Sequence, residues 1–418
     1  MPLTGERPAL LAGLADHFTR HFGAEPPTRL GLAVSGGGDS RAMLEAAALW
    51  APAAGVALEV ACVDHGLRPE SGEEAAAVAA RAAALGLTAE VLRWEGPAGG
   101  NLQAAARAAR YRLLADWAAR RGLGGVALAH TLDDQAETFL MRLSREAGVD
   151  GLAGMAANVT RHGTVFHRPL LTASRAELRA ALVEAGHGWV EDPSNDDTRF
   201  ERVRARRALA ALAPLGIGAG TLSEVAAQLS SARAALGLQL ADAIGAHVTQ
   251  EAGDLILAPT LAEEAEETQR RLWAAAFRWI GSSPYPPRRA PLAAAISAAG
   301  RGETVTLSGT LVFAAPQGAR LTREWKAVAA TRARPGEPWD DRWIVTAPET
   351  AGAEVRALGQ AGLLACGDWR QSGLPRQTLL ASPALWRGEE LLAAPLAFPG
   401  RDADARLSTQ FAEWALSD

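Results

Sequence analysis

A short apolar run, Leu30-Gly31-Leu32-Ala33-Val34, leads directly into Ser35-Gly36-Gly37-Gly38-Asp39-Ser40, and a helical stretch from Ser40 to Trp50 follows. A strand that turns through glycine into a helix restricts the fold more than any other local pattern in this chain. Glycines let backbone N–H groups approach an anion with no Cβ in the way. The helix start adds positive potential, and Ser35 and Ser40 add hydroxyl donors. Such a loop suits phosphate; a Gly-rich turn with no ligand is the alternative. Asp39 is out of place beside phosphate unless a divalent cation bridges the two, so it is assigned Mg²⁺. The loop lacks the Gly-Lys-Ser/Thr ending of a P-loop kinase or GTPase. Phosphate charge must then be met by amides, metal and arginine.

The same strand-then-helix unit recurs downstream. Val56 to Val63 is apolar and ends at Asp64-His65-Gly66, and Glu70 to Gly86 reads as a helix. Ala89 to Trp94 reads as a strand, Gln103 to Arg121 as a long helix, and Gly125 to Ala129 as a buried strand before His130. This alternation predicts an α/β fold, a parallel sheet with helices on both faces. Ligands of such sheets sit at the carboxyl ends of strands. Ser35–Ser40, Asp64-His65 and His130–Glu137 all fall there, so three polar clusters can converge on one site.

Beyond residue 150 the pattern changes. Val165 to Leu171 reads as a strand and Ser174 to Ala185 as a helix. Pro214 to Gly220 looks like a boundary. Leu222 to about Gly245 and Gln269 to Trp279 read as helices, and Thr304 to Leu321 as a hairpin turning at Pro316-Gln317-Gly318. Short strand-like pieces follow at Trp343–Thr346, Thr378–Leu380 and Leu391–Leu396. The expected domains are 1–213, 214–325 (mainly helical) and 326–418 (small, mixed or β-rich).

Composition sets limits. Hydrophobic residues make up 48% of the chain and charged residues 21%, so it can bury real cores and is not a disordered chain. The net charge of −5 does not mark a nucleic-acid binder, but local patches decide that. Cys62 and Cys366 are the only cysteines, which excludes a disulfide framework or a CxxC pair. No segment reads as a signal peptide or a charge-free membrane span. A cytoplasmic protein with no membrane partner is expected. Its oligomeric state is open, a homodimer included.

Several side chains are candidates for chemistry. Asp134 and Glu137 lie three apart, hence on one helix face, and suit a cationic ligand. The alternative is a capped, solvated acidic face, and Asp133 can cap the helix start. His130 can contact phosphate or move a proton; a structural histidine is the alternative. Asp64 and His65 can hydrogen-bond a nucleotide near its adenine or ribose; a turn that satisfies its own backbone is the alternative. Arg107 and Arg110 share a helix face beside Tyr111 and can meet phosphates or a base; a solvated pair is the alternative. The run Arg199-Phe200-Glu201-Arg202-Val203-Arg204-Ala205-Arg206-Arg207 is the clearest basic patch and suits contact with a phosphate backbone; a solvated basic helix is the alternative.

The loop Ser35–Ser40 resembles the SGGxDS signature of the PP-loop ATP pyrophosphatases, the adenine nucleotide alpha hydrolase-like fold. Four further segments resemble tRNA(Ile)-lysidine synthetases: Val63–Ser71, Asn101–Tyr111, His130–Thr138 with Gly151–Met155, and Glu191–Asn195. The resemblance is strong over about residues 30–207. Val203 and Ala205 depart from it, standing where the family usually has Asn and Ile.

The resemblance implies an ATP- and Mg²⁺-dependent ligase that joins free L-lysine to C2 of the wobble cytidine of tRNA(Ile) with anticodon CAU. The base is first adenylated; lysine then displaces AMP and AUA is read as isoleucine. Asp39, His130 and Arg107 would be catalytic. Ser35, Gly36, Gly37, Gly38, Asp39, Ser40, Asp64 and His65 would bind ATP, with Asp39 on the metal. Asp134 and Glu137 would hold lysine. Arg110, Arg199, Arg202, Arg204 and Arg206 would face the tRNA. The rivals are a cytidine thiolase, which commonly needs cysteines that are scarce here, and a catalytically inert tRNA-binding protein, which would not need Asp39 in an intact loop.

Overall fold

The computed structural model describes residues 8–66, 71–94, 96, 102–190, 199–348, 351–398 and 403–417. The chain packs as two units, Met1–Arg233 and Ala234–Asp418.

The first unit runs α1 (Ala9–Phe22), β1 (Arg29–Ala33), α2 (Gly38–Ala54), β2 (Ala57–Asp64), α3 (Ser71–Ala84), β3 (Thr88–Arg93), α4 (Leu102–Arg121), β4 (Val126–Leu128), α5 (Leu132–Leu143), α6 (Val149–Leu152), β5 (Asn158–Arg161), β6 (Thr164–His167), α7 (Arg175–Glu184), α8 (Glu201–Leu212) and the start of α9 (Ala219–His247). Its six strands are ordered β3-β2-β1-β4-β6-β5. All pairings are parallel except that of edge strand β5 with β6. Those two form a hairpin through His162 and Gly163, both at positive φ, the backbone of a tight two-residue turn.

Both faces of the sheet are covered. Successive strand residues point to opposite faces. Leu30 and Leu32 of β1 pack with Phe18, Met43, Trp50, Leu178 and Leu182 from α1, α2 and α7. Ala33 packs on the other side with Tyr111, Leu114 and Trp117 of α4 and with Phe166 of β6. Gly31 also faces that side: a Cβ there would lie 2.5 Å from the Trp117 ring, so the helix closes on the strand only because residue 31 has none. β1 sits centrally between β2 and β4, and its carboxyl end delivers the glycine loop.

The second unit holds the rest of α9, then β7 (Val248–Glu251), β8 (Asp254–Leu257), α10 (Glu266–Ile280), α11 (Arg289–Gly300), β9 (Val305–Leu307), β10 (Thr310–Ala315) and β11 (Gly318–Arg323). These strands make an antiparallel sheet, β7-β8-β11-β10-β9, packed against α10 and α11 through Leu255, Leu272, Phe277, Leu292, Val312 and Leu321. The expected hairpin is there, with Ala315 opposite Gly318.

The remainder is α12 (Trp325–Val328), β12 (Pro338–Trp339), β13 (Trp343–Thr346), β14 (Glu354–Ala357), α13 (Gly359–Ala365), α14 (Arg376–Leu380), β15 (Pro383–Arg387), β16 (Glu390–Ala393), β17 (Asp404–Leu407) and α15 (Phe411–Leu416). The β strands form two three-stranded sheets, β12-β13-β17 and β14-β15-β16. Thr378–Leu380 is not a strand: Pro375, with its fixed φ, starts the short helix α14 there. Among the described residues no single helix is long and apolar enough to cross a membrane.

Candidate active site at the carboxyl ends of the central strands

The glycine loop is shaped by Ser40. Its hydroxyl donates to the Gly37 carbonyl at 2.9 Å and accepts the Ser35 N–H at 3.1 Å, with Ser35 Oγ 3.3 Å away. Gly36 has φ +85°, a conformation that glycine takes without strain. Gly37 caps α2 with extended backbone, so the helix opens at Gly38. The first-turn amides of a helix have no partner within it. Val190 N–H donates to the Gly36 carbonyl and braces the loop from one side.

Asp39, in the first turn of α2, faces a cluster of acids and arginines. Arg175, the first residue of α7, places Nε 3.2 Å from Asp39 Oδ2, Nη1 3.2 Å from Glu137 Oε1 and Nη2 3.5 Å from Asp134 Oδ1. Arg206 Nε donates to Glu137 Oε1 at 3.0 Å, and Arg202 Nε pairs with Glu137 Oε2 at 3.1 Å. Glu137 is only 1% exposed. Burial raises the Asp39 carboxyl pKa, with the Arg175 guanidinium opposing. Burial works the same way on Asp134, but Arg202, His130 and Arg175 outweigh it and hold that carboxyl below its ordinary value. Arg175 keeps its proton more tightly than usual, because the three acids outweigh its own burial.

The start of α5 explains why Asp134 points here. Thr131 caps the helix and accepts the Asp134 N–H, while Asp134 Oδ2 accepts from the Thr131 N–H and hydroxyl, both at 2.9 Å. This reciprocal capping box fixes the rotamer. The expectation that Asp133 caps the helix is corrected: Thr131 is the cap, Asp133 lies two residues further along, and its Oδ2 accepts the Arg175 backbone N–H at 2.7 Å.

A cavity of ≈ 210 Å³ lies alongside, lined by His65, Ala106, Arg107, Arg110, Tyr111, Leu114, Leu128 and His130. Among the described residues no carboxylate lines it. Arg107 and Arg161 stand over the Tyr111 ring, at 5.6 and 4.6 Å from its centre. Burial lowers the pKa of Arg110. His130 is pushed down to about 3 by burial, with Arg168, Arg110 and Arg107 adding to it against Asp134. Burial and Arg110 lower His65 too, and its Nδ1 is buried with no hydrogen-bond partner among the described residues. Asp64 turns back on itself, accepting the Gly66 N–H at 2.9 Å, and that bond chiefly lowers its pKa.

Of the residues singled out in the sequence, Ser35–Ser40, Asp39, Asp134 and Glu137 come together, and His130, Arg107, Arg110 and His65 line the adjoining cavity. Arg202 and Arg206 turn inward to Glu137. Arg199 and Arg204 do not join them; both are exposed, and Arg204 donates to the Arg199 carbonyl at 3.0 Å. The segments Leu67–Glu70 and Glu191–Asn195, and Asn101, lie outside the described residues. Sequence reasoning missed Arg168 and Arg175. The Ser174-x-x-Glu177 capping box marked the start of α7, and so the place of Arg175; nothing marked Arg168.

Residues 12–213 match the PP-loop domain family. A tRNA(Ile)-lysidine synthase from Ruegeria pomeroyi is 50% identical over 386 residues, 92% of this chain and 92% of its own length. Those of Rhodopseudomonas palustris and a Bradyrhizobium species are 51% and 49% identical over 211 and 213 residues, half of this chain and 61% and 59% of their own lengths.

Proposed function

The chain belongs to the tRNA(Ile)-lysidine synthase family, and on that premise we propose how its residues share the reaction. The enzyme ligates L-lysine to C2 of the wobble cytidine of tRNA(Ile) with anticodon CAU, using ATP. The observation that carries the assignment of roles is the meeting of Asp39, Asp134 and Glu137 beside the glycine loop.

ATP lies with its phosphates on Ser35–Ser40, met by first-turn amides and the positive end of α2. Asp39 is the one acid on that loop. A single carboxylate fits Mg²⁺, which is ordinarily held by one or two carboxylates together with substrate phosphates. Asp39 would hold the metal, which when bound would neutralise charge on the pyrophosphate as it leaves. The cytidine C2 oxygen attacks the α-phosphorus and pyrophosphate leaves. The lysine ε-ammonium loses a proton to water, the neutral amine attacks C2, the C2–O bond breaks, and AMP departs with that oxygen.

The chain's own groups divide the remaining work. The cavity between α4 and β4 receives the pyrimidine and excludes water from it. Arg107 and Arg110 face negative charge there, and His130, neutral, offers an Nε2–H donor. Asp134 and Glu137 receive the ammonium groups of lysine. Arg199 and Arg204, exposed at the start of α8, meet the RNA backbone. Residues 214–325 and 326–418 help hold the tRNA.

The decisive assay mixes protein, ATP, radiolabelled lysine and tRNA(Ile) with anticodon CAU. Label in RNA, with AMP and pyrophosphate released, is expected; its absence would sink the lysidine reading. A thiolase is disfavoured because Cys62 is buried in β2, where burial pushes its thiol up to about 11.

A further inference from the structure

One guanidinium serves three carboxylates. Arg175 spends its Nε on Asp39, its Nη1 on Glu137 and its Nη2 on Asp134, and its backbone N–H on Asp133. Its side chain is 17% exposed, so water takes little part. Two of these carboxylates are the ones assigned above to the lysine ammonium groups, and the third belongs to the phosphate loop. A guanidinium at this point satisfies the acids as a bound ammonium would. An incoming ammonium must therefore compete with it, and the two cations repel one another at close range.

We propose that Arg175 is a resident counter-ion that holds the amine site closed until nucleotide binds. The proposal rests on the lysine-binding reading of Asp134 and Glu137. Because Asp39 belongs to the loop, the guanidinium already stands at the edge of the phosphate site. Phosphate oxygens bound there give the planar guanidinium a new bidentate anionic partner in place of the carboxylates. Its shift of allegiance frees Asp134 and Glu137 for lysine. Nucleotide then raises lysine affinity, and the free enzyme does not load lysine first. Arg175 is a positioning residue in this account, not a catalytic one. Arg202 and Arg206, with side chains 41% and 38% exposed, can turn outward to RNA, so the coupling is read with tRNA present.

The experiment is equilibrium dialysis of radiolabelled lysine against the full chain, saturated with tRNA(Ile) of anticodon CAU, with and without α,β-methylene ATP and Mg²⁺. In the wild type the analogue should tighten lysine binding about tenfold or more. In Arg175→Gln the lysine affinity without nucleotide should rise, and the ratio should fall to about one. Arg175→Lys keeps a cation and should keep most of the coupling. A merely structural role predicts weaker lysine binding in both states of Arg175→Gln, and that result would overturn the proposal. So would a wild-type ratio near one. Linkage supplies a check that needs no variant: lysine must tighten analogue binding by the same factor. If the wild type binds no lysine even with analogue and tRNA, the lysine-site reading itself fails, and that outcome is distinct.

Discussion

Arg168 donates its Nε–H to Nδ1 of His130 across 3.1 Å, and Arg168 is itself anchored by Nη1 to the Ala156 carbonyl at 2.6 Å. An Nδ1 that accepts leaves the single imidazole proton on Nε2, the usual way a neighbour selects a histidine tautomer. With its pKa down at about 3, His130 stays neutral through the physiological range. In the assignment proposed above it donates a hydrogen bond to the reacting group and does not act as a base. Glutamine can place an amide N–H near the Nε2 position, whereas alanine cannot. His130→Gln should retain more activity than His130→Ala, for which a loss of about 10²-fold in kcat is expected. The wild-type rate between pH 5.5 and 8 should carry no inflection that His130→Gln removes; such an inflection would show that His130 titrates in the working range.

Acid should weaken the fold before the carboxylates titrate. His130 and His167 sit at about 3 and about 4, both lowered first by burial, against 6.5 for an unperturbed imidazole. A histidine whose folded pKa is depressed contributes its stability above the unfolded pKa. That stability is lost as pH falls below 6.5, because the unfolded chain takes up a proton that the native chain refuses. Each such group costs about 1.4 kcal/mol per pH unit inside that window. Urea denaturation at pH 7.5, 6.0 and 5.0 should show stability falling, with a shallower fall in His130→Gln.

The glycine loop should fail through its shape when Ser40 is changed. Ser40 is 6% exposed and its hydroxyl joins the Ser35 N–H to the Gly37 carbonyl. Ser40→Ala removes both bonds and leaves two polar groups short of partners, at about 1–3 kcal/mol. The KM for ATP should rise clearly, while the lysine KM measured at saturating ATP changes little. Ser40→Thr restores the hydroxyl and should recover most of the ATP affinity. An unchanged ATP KM in Ser40→Ala would mean that the loop keeps its form by other means.

Much of this site was legible from sequence because its parts obey local rules. The run Leu30–Val34 breaking into glycine had to be a strand entering a helix, and the spacing of Asp134 and Glu137 had to put them on one face. The partners of those acids were not legible. Arg175 and Arg206 lie 38 and 69 residues from Glu137, and only the topology brings the first residue of α7 and the helix α8 to α5. In a chain with 42 basic residues, all but Lys326 arginine, nothing singles out the few that turn inward. The β5–β6 and β7–β8 hairpins escaped for another reason. Their turns place His162 and Ala252 at positive φ, where a non-glycine residue gives little sequence signal.

Glu137 should matter to fold and site together. Its carboxylate is 1% exposed, and Arg175, Arg202 and Arg206 all converge on it. Removing one member of a buried ion pair strands the other charge, typically at about 3–5 kcal/mol. Here two of the three arginines reach solvent and can relax into it, so the low end, about 3 kcal/mol, is expected for Glu137→Gln in urea denaturation. Neutralising Arg206 as well should return part of the loss: in a double-mutant cycle of Glu137→Gln with Arg206→Gln the coupling should favour the wild-type pair by about 1 kcal/mol or more. The functional signature is separable from the stability loss. At a temperature where the variant is folded, the lysine KM should rise at least about tenfold while the KM for ATP holds steady, as expected when a group that binds one substrate is lost. A variant that loses stability but keeps the wild-type lysine KM would leave Glu137 as an anchor for the three arginines and nothing more.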